Sequence, residues 1–189
     1  MDAEKKKIAA DCWKKGSEAM AKENWDYAIE MFGKSVSLVP DNLLYRQTLR
    51  GVERKKYGDN GSGAKMAGLR LTKVRTRIKA GRLKKNWDAI DRAAEDGLKI
   101  NPWDSTLLFE LGVAARERGY SEVATDAMRT AVANNSKNKD FARELAELLE
   151  GRVPHEQLRL TKGFGVEDDY KAFTQAHLQV ALRLGERRG

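Results

Sequence analysis

Asn24-Trp25-Asp26 and Asn86-Trp87-Asp88 are the same tripeptide, and in each case a proline, Pro40 or Pro102, follows the tryptophan by fifteen positions. Between tripeptide and proline the apolar residues fall at helical intervals: Ala28, Ile29, Phe32, Val36 and Val39 in one, Ile90, Ala93, Ala94 and Leu98 in the other. Asn is a good helix N-cap, and an Asp two positions later lies favourably at the positive end of the helix dipole. Proline ends the unit because it cannot continue a helix and restricts the residue before it. Recurrence over tens of residues confines the chain to stacked supersecondary units. Val, Ile, Thr and Tyr nowhere alternate between tight turns as strands require, so the expected fold is all-α.

The units resemble tetratricopeptide repeats, whose pattern is Trp-x2-Leu-Gly-x2-Tyr, then Ala-x3-Phe, then Pro, over 34 residues. Gly16, Ala28, Phe32 and Pro40 match in a first unit at about 9–42, with Cys12, Lys15 and Ala19 where Trp, Leu and Tyr would stand. Leu111-Gly112, Ala124 and Met128 match in a unit at about 105–138, where Ser136 takes the proline slot. The unit between, about 71–104, keeps Trp87 and Pro102 but has Ile78, Ile90 and Ala94 in the Gly, Ala and Phe slots. The resemblance implies a right-handed superhelical stack of antiparallel helix hairpins, an α-solenoid, and a C-terminal capping helix completes the expectation.

The spacing also predicts a break. Pro40 and Pro102 are 62 residues apart, six short of two periods. Leu44, Leu49 and Val52 suggest a single helix that stops at Gly58-Asp59-Asn60-Gly61-Ser62-Gly63, a turn or flexible loop. The organisation read from this is a first unit at 1–42, a degenerate helix plus glycine-rich loop at 43–70, and repeat-like units with an additional helix at 71–151. The additional helix carries Phe141, Leu145, Leu148 and Leu149; a connector and the capping helix fill 152–189, the latter with Tyr170, Phe173, Ala181 and Leu184 on one face.

Charge is concentrated in the middle. Between Arg46 and Lys85 fourteen basic residues face two acids, Glu53 and Asp59, so this segment carries +12 in a chain of net +8. Such a run suggests a surface for an anionic partner. The resemblance implies where it acts, on a concave face built from the first helix of each unit. That maps Trp13, Ser17 and Met20 to one end of a groove, Arg75, Lys79 and Arg82 to its centre, and Phe109, Val113 and Arg116 beyond. The two-carboxylate clamp of tetratricopeptide co-chaperones is not expected, because Thr106 and Glu110 stand where it needs cations. The favoured function is a protein-interaction adaptor or scaffold that binds an acidic protein or peptide. The alternative is an RNA- or ribosome-associated protein, which the scarcity of aromatics disfavours, Tyr57 being the only one between Arg46 and Lys85.

No catalytic or cofactor motif stands out. His155 and His177 are too few for a common metal site, Cys12 is a lone thiol, and Gly61-Ser62-Gly63 and Gly163-Phe164-Gly165 lack the strand and lysine of a phosphate loop. The expectation is therefore a non-enzyme without cofactor. The single cysteine and the missing apolar leader suggest a cytoplasmic protein without a membrane span.

Overall fold

The computed structural model describes residues 3–151, and all of its regular structure is helical. The helices are α1 (Ala3–Ala21), α2 (Trp25–Leu38), α3 (Leu43–Lys56), the short α4 (Ala67–Arg70), α5 (Thr72–Leu83), α6 (Trp87–Leu98), α7 (Ser105–Glu117), α8 (Ser121–Asn134) and α9 (Lys139–Glu150). No described helix is long and apolar enough to cross a membrane. The expected connector and capping helix, with His155, His177 and Gly163-Phe164-Gly165, lie outside the described residues.

Three hairpins form among the described residues, α1 with α2, α5 with α6, and α7 with α8. Their caps follow from side-chain chemistry. Asn24 and Asn86 accept from the backbone N–H of Tyr27 and Ala89, and Asn42, Asp104 and Asn138 cap α3, α7 and α9 in the same way. Trp25 and Trp87 open α2 and α6, each partly buried against its own hydrophobic cluster.

The hairpins close at small residues. A Cβ on Gly16 would come within 2.8 Å of the Phe32 ring, and one on Gly112 within 2.6 Å of Met128 Cγ. In the middle hairpin the same two slots hold Ile78 and Ala94, both buried in one cluster. There the large residue has moved to the first helix and the small one to the second. One turn further along, Ala19 and Ala28, then Ala115 and Ala124, fill the corresponding positions, whereas the middle hairpin sets Ile90 against Gly81, whose added Cβ would lie 2.7 Å from Ile90 Cγ1. The departure of this unit from the repeat pattern is thus a compensated exchange of volume across the seam, which close-packed interiors require.

A swap in the third hairpin tests that. Gly112→Ile should destabilise by about 1–3 kcal/mol through overpacking. Gly112→Ile/Met128→Ala should recover much of what the single changes lose when added, as urea unfolding would show. Simple additivity would mean that the seam does not couple the two sites.

The stack is not continuous. Two main hydrophobic clusters exist among the described residues, one built from α1, α2 and α3, the other from α5 through α9 with Leu71. Rather than lining up ahead of α5, α3 packs on α2 and crosses to α6 and α8, the second helices of the following hairpins. Leu43 packs with Ala115, Val123 and Ala124, and Gln47 Nε2 donates to Asp126. The glycine-rich turn lets the chain return. Gly58, Asp59, Gly61 and Gly63 all have positive φ, and Gly63 sits where a Cβ would meet the Ile100 carbonyl at 2.5 Å. This turn is tied down, with the Tyr57 hydroxyl donating to Lys99 O and Ala64 N to Ile100 O.

Candidate binding face and the buried ion cluster

The first helices α5, α7 and α9 stand side by side, joined by repeated rungs. Arg82 Nε donates to Glu110 Oε2 at 2.8 Å, and Arg116 Nη1 to Glu144 Oε2 at 2.8 Å. Arg82 and Arg116 are one 34-residue period apart, as are Glu110 and Glu144, so the rung is itself a repeat feature. Ion pairing to Glu144 raises the Arg116 pKa in spite of partial burial. Phe109 stacks on Phe141 of α9 with centroids 4.4 Å apart, and Val113 is buried in the core.

The nine mapped groove residues therefore fall into different situations. Arg75, Lys79 and Arg82 share one face of α5. Arg75 Nη2 donates to Asp104 Oδ2 at 3.2 Å and Arg82 reaches Glu110, each through a single nitrogen, so the described residues leave other guanidinium N–H groups over. Lys79, exposed between them, has no acidic partner among the described residues. Trp13, Ser17 and Met20 lie on α1, which packs principally on α2. Trp13 meets Phe32 edge-on at 6.3 Å, Ser17 donates to Trp13 O, and Met20 is exposed.

The basic segment is also divided. Arg46 and Arg50, its first two cations, are buried and not part of a surface. Arg46 forms a two-pronged pair with Asp91, Nη1 to Oδ1 and Nη2 to Oδ2, both at 2.8 Å. It also donates through Nη1 to Glu95 Oε1 at 2.8 Å and through Nε to Pro40 O at 2.7 Å. Arg50 donates to Glu95 Oε2 at 2.7 Å and to Glu53, while Arg118 closes on Asp91 and Asp88. Burial alone would lower the Arg46 pKa, but Asp91 and Glu95 outweigh it and raise it. Burial works against the charged form of Glu95 too, yet Arg50 and Arg46 hold it below the ordinary carboxylate range.

Glu53 is the exception. It is wholly buried, Oε1 has no hydrogen-bond partner among the described residues, and burial pushes its pKa up to about 7 despite Arg50. Beside it, Arg54 has its pKa lowered by burial and by Arg50. A cavity of about 260 Å³ adjoins the cluster, lined in part by Gly33, Val36, Arg46, Asp91 and Glu95.

No reading of the sequence placed this cluster, though its halves are visible as helical stripes. Arg46, Arg50 and Glu53 share one face of α3, and Asp88, Asp91 and Glu95 one face of α6. Among the described residues, no group of three or more His, Cys, Asp or Glu side chains could hold a metal ion.

No family model matches the chain, and no curated protein does. Among solved structures, it is similar to the C-terminal TPR-containing domain of a Plasmodium falciparum FK506-binding protein, at 19% identity and a TM-score of 0.39, covering 87% of this chain and 97% of that one. The MamA protein is similar at 15% identity and a TM-score of 0.39, with 82% and 88% covered. Likeness at that score is too slight to bear on function. By their hairpins, glycine seams and 34-residue rungs, the described residues form an all-helical stack of tetratricopeptide-like form.

Proposed function

We propose that this protein is an interaction scaffold that takes an acidic peptide segment along the inner face of α5. The observation that carries the reading is the exposed ammonium of Lys79, without an acidic partner among the described residues, between Arg75 and Arg82, each engaged by those residues through one nitrogen. Carboxylates can add to the spare guanidinium N–H groups without breaking the rungs, and such charge-assisted bonds are the stronger kind. Over the whole of α5 there is no acid. Lys73, Lys84 and Lys85 extend the field without an acidic partner among the described residues. The nucleic-acid reading lacks a stacking platform, since Tyr57, the aromatic in the basic segment, is half-buried and bonded to Lys99 O.

Fluorescence anisotropy with a labelled decaglutamate peptide tests this on the full chain. Lys79→Glu should weaken binding about tenfold with helicity unchanged, and affinity should fall with salt, because exposed charges are screened beyond about 8 Å at physiological ionic strength. Equal binding by wild type and Lys79→Glu would remove α5 as the site. Tighter binding of a decauridine RNA, with a salt slope that grows with the phosphates neutralised, would support the nucleic-acid alternative.

A further inference from the structure

The face proposed to bind acidic segments has a matching segment in the chain itself. Glu167-Asp168-Asp169 is the only run of three consecutive acids in the sequence, and Tyr170 and Phe173 follow it. The α5 face has the complementary order. Lys79 is one turn from Leu83, which is 81% exposed, and Met66 and Leu69 beside the other end of α5 are 72% and 68% exposed. Three large apolar side chains so open to water, next to lysines without an acidic partner among the described residues, are what an acidic segment with neighbouring aromatics would cover.

We infer that Glu167-Asp168-Asp169, with Tyr170 and Phe173, docks on the Lys79 face of α5 in the free chain and competes there with an external acidic peptide. This rests on the reading of α5 as an acidic-peptide site and names its resident competitor.

The connection is long enough. From Gly151, at the end of α9, fifteen residues intervene before Glu167. Fully extended, they and the step into Glu167 reach about 55 Å. The rungs set α9 beside α7 and α7 beside α5, so two interaxial steps separate α9 from α5, about 20 Å in all. The reach exceeds the requirement, and a tether that can span two sites raises the effective concentration of the segment it carries. Weak intrinsic affinity then suffices for occupancy.

Charge complementarity sets the register. Carboxylates of the acidic run meet the Lys79 ammonium and the free N–H groups of Arg75 and Arg82, and the aromatic rings fall on Leu83 or on the Met66 and Leu69 side. A tethered competitor lowers the apparent affinity for any external acidic peptide by the fraction of time it holds the face.

Two measurements on the full chain decide it. Zero-length carbodiimide coupling, read by mass spectrometry on monomer, should join Lys79, Lys73 or Lys84 to the acids at 167–169. The variant Glu167→Gln/Asp168→Asn/Asp169→Asn should lose those products and bind decaglutamate about tenfold more tightly than wild type. Absent cross-links together with unchanged affinity would overturn the inference while leaving the α5 site standing if decaglutamate still binds in a Lys79-dependent way. Failure of decaglutamate to bind either protein would overturn the α5 reading instead, whatever the cross-links. Cross-links confined to dimers and lost on dilution would overturn docking within one chain in favour of a second copy.

Discussion

Asp91→Ala should destabilise the protein by about 3–5 kcal/mol, the range for removing one partner of a buried ion pair. Asp91 is the acceptor common to Arg46 of α3 and Arg118 at the end of α7, so its removal takes the two-pronged partner from Arg46 and leaves Arg118 with Asp88 alone. The loss is large because the remaining Arg46 guanidinium would have only Glu95 and the Pro40 carbonyl to replace water. A second consequence follows from the position of the cluster, which joins two halves that have separate hydrophobic clusters. Each half carries its own tryptophans, Trp13 and Trp25 in one, Trp87 and Trp103 in the other. Urea unfolding of Asp91→Ala followed by fluorescence of single-tryptophan versions should give separated midpoints where the parent gives one. Replacing the set together, Arg46→Met/Arg50→Leu/Glu53→Leu/Asp91→Leu/Glu95→Leu, should be close to neutral, since the buried partners leave together and Arg118 keeps Asp88. A cost below about 0.5 kcal/mol for Asp91→Ala would show that the cluster is solvated and does not join the halves.

Glu53 should make the protein less stable as the pH rises from about 4.5 to about 7. The folded chain keeps a proton on this buried carboxyl up to about 7, whereas the unfolded chain releases it near the ordinary 4.5. Its stabilising contribution is therefore fully present below 4.5 and is lost as pH climbs to the folded value. The difference in pKa corresponds to about 3 kcal/mol. Glu95 has the opposite sign. Its pKa is depressed, so its contribution is present above the ordinary value and disappears as pH falls through the folded one. The two windows lie on either side of pH 4.5 and can be told apart. Glu53→Gln keeps an oxygen for the Arg50 guanidinium and cannot ionise. It should flatten stability between pH 4.5 and 7 and leave the protein more stable than wild type at pH 8. Parallel profiles for wild type and Glu53→Gln across that interval would contradict the assignment.

Helix positions and hairpins were open to a reader of the sequence because their causes are local. Asn24 and Asn86 cap α2 and α6 through backbone N–H groups three residues on, and Gly16 and Gly112 mark where two neighbouring helices must touch. The shortfall of six residues between Pro40 and Pro102 announced an interruption. It carried no information on where α3 would go, since that depends on contacts such as Arg46 with Asp91, 45 residues away. A stripe of arginines four apart reads the same in sequence whether water or a carboxylate faces it. Hence Arg46 and Arg50 counted as surface charge until the fold buried them, and the sequence mapping of Trp13, Ser17 and Met20 could not foresee that α1 packs principally on α2. The rungs were nearer to view, because Arg82 with Arg116 and Glu110 with Glu144 recur at the repeat period. Which cation stays free is still a tertiary outcome. Asp104 and Glu110 come from the next helix to engage Arg75 and Arg82, and no described acid arrives opposite Lys79. Local chemistry determined the helices and their seams, while long-range pairing of charges decided how the halves meet and which cations are engaged.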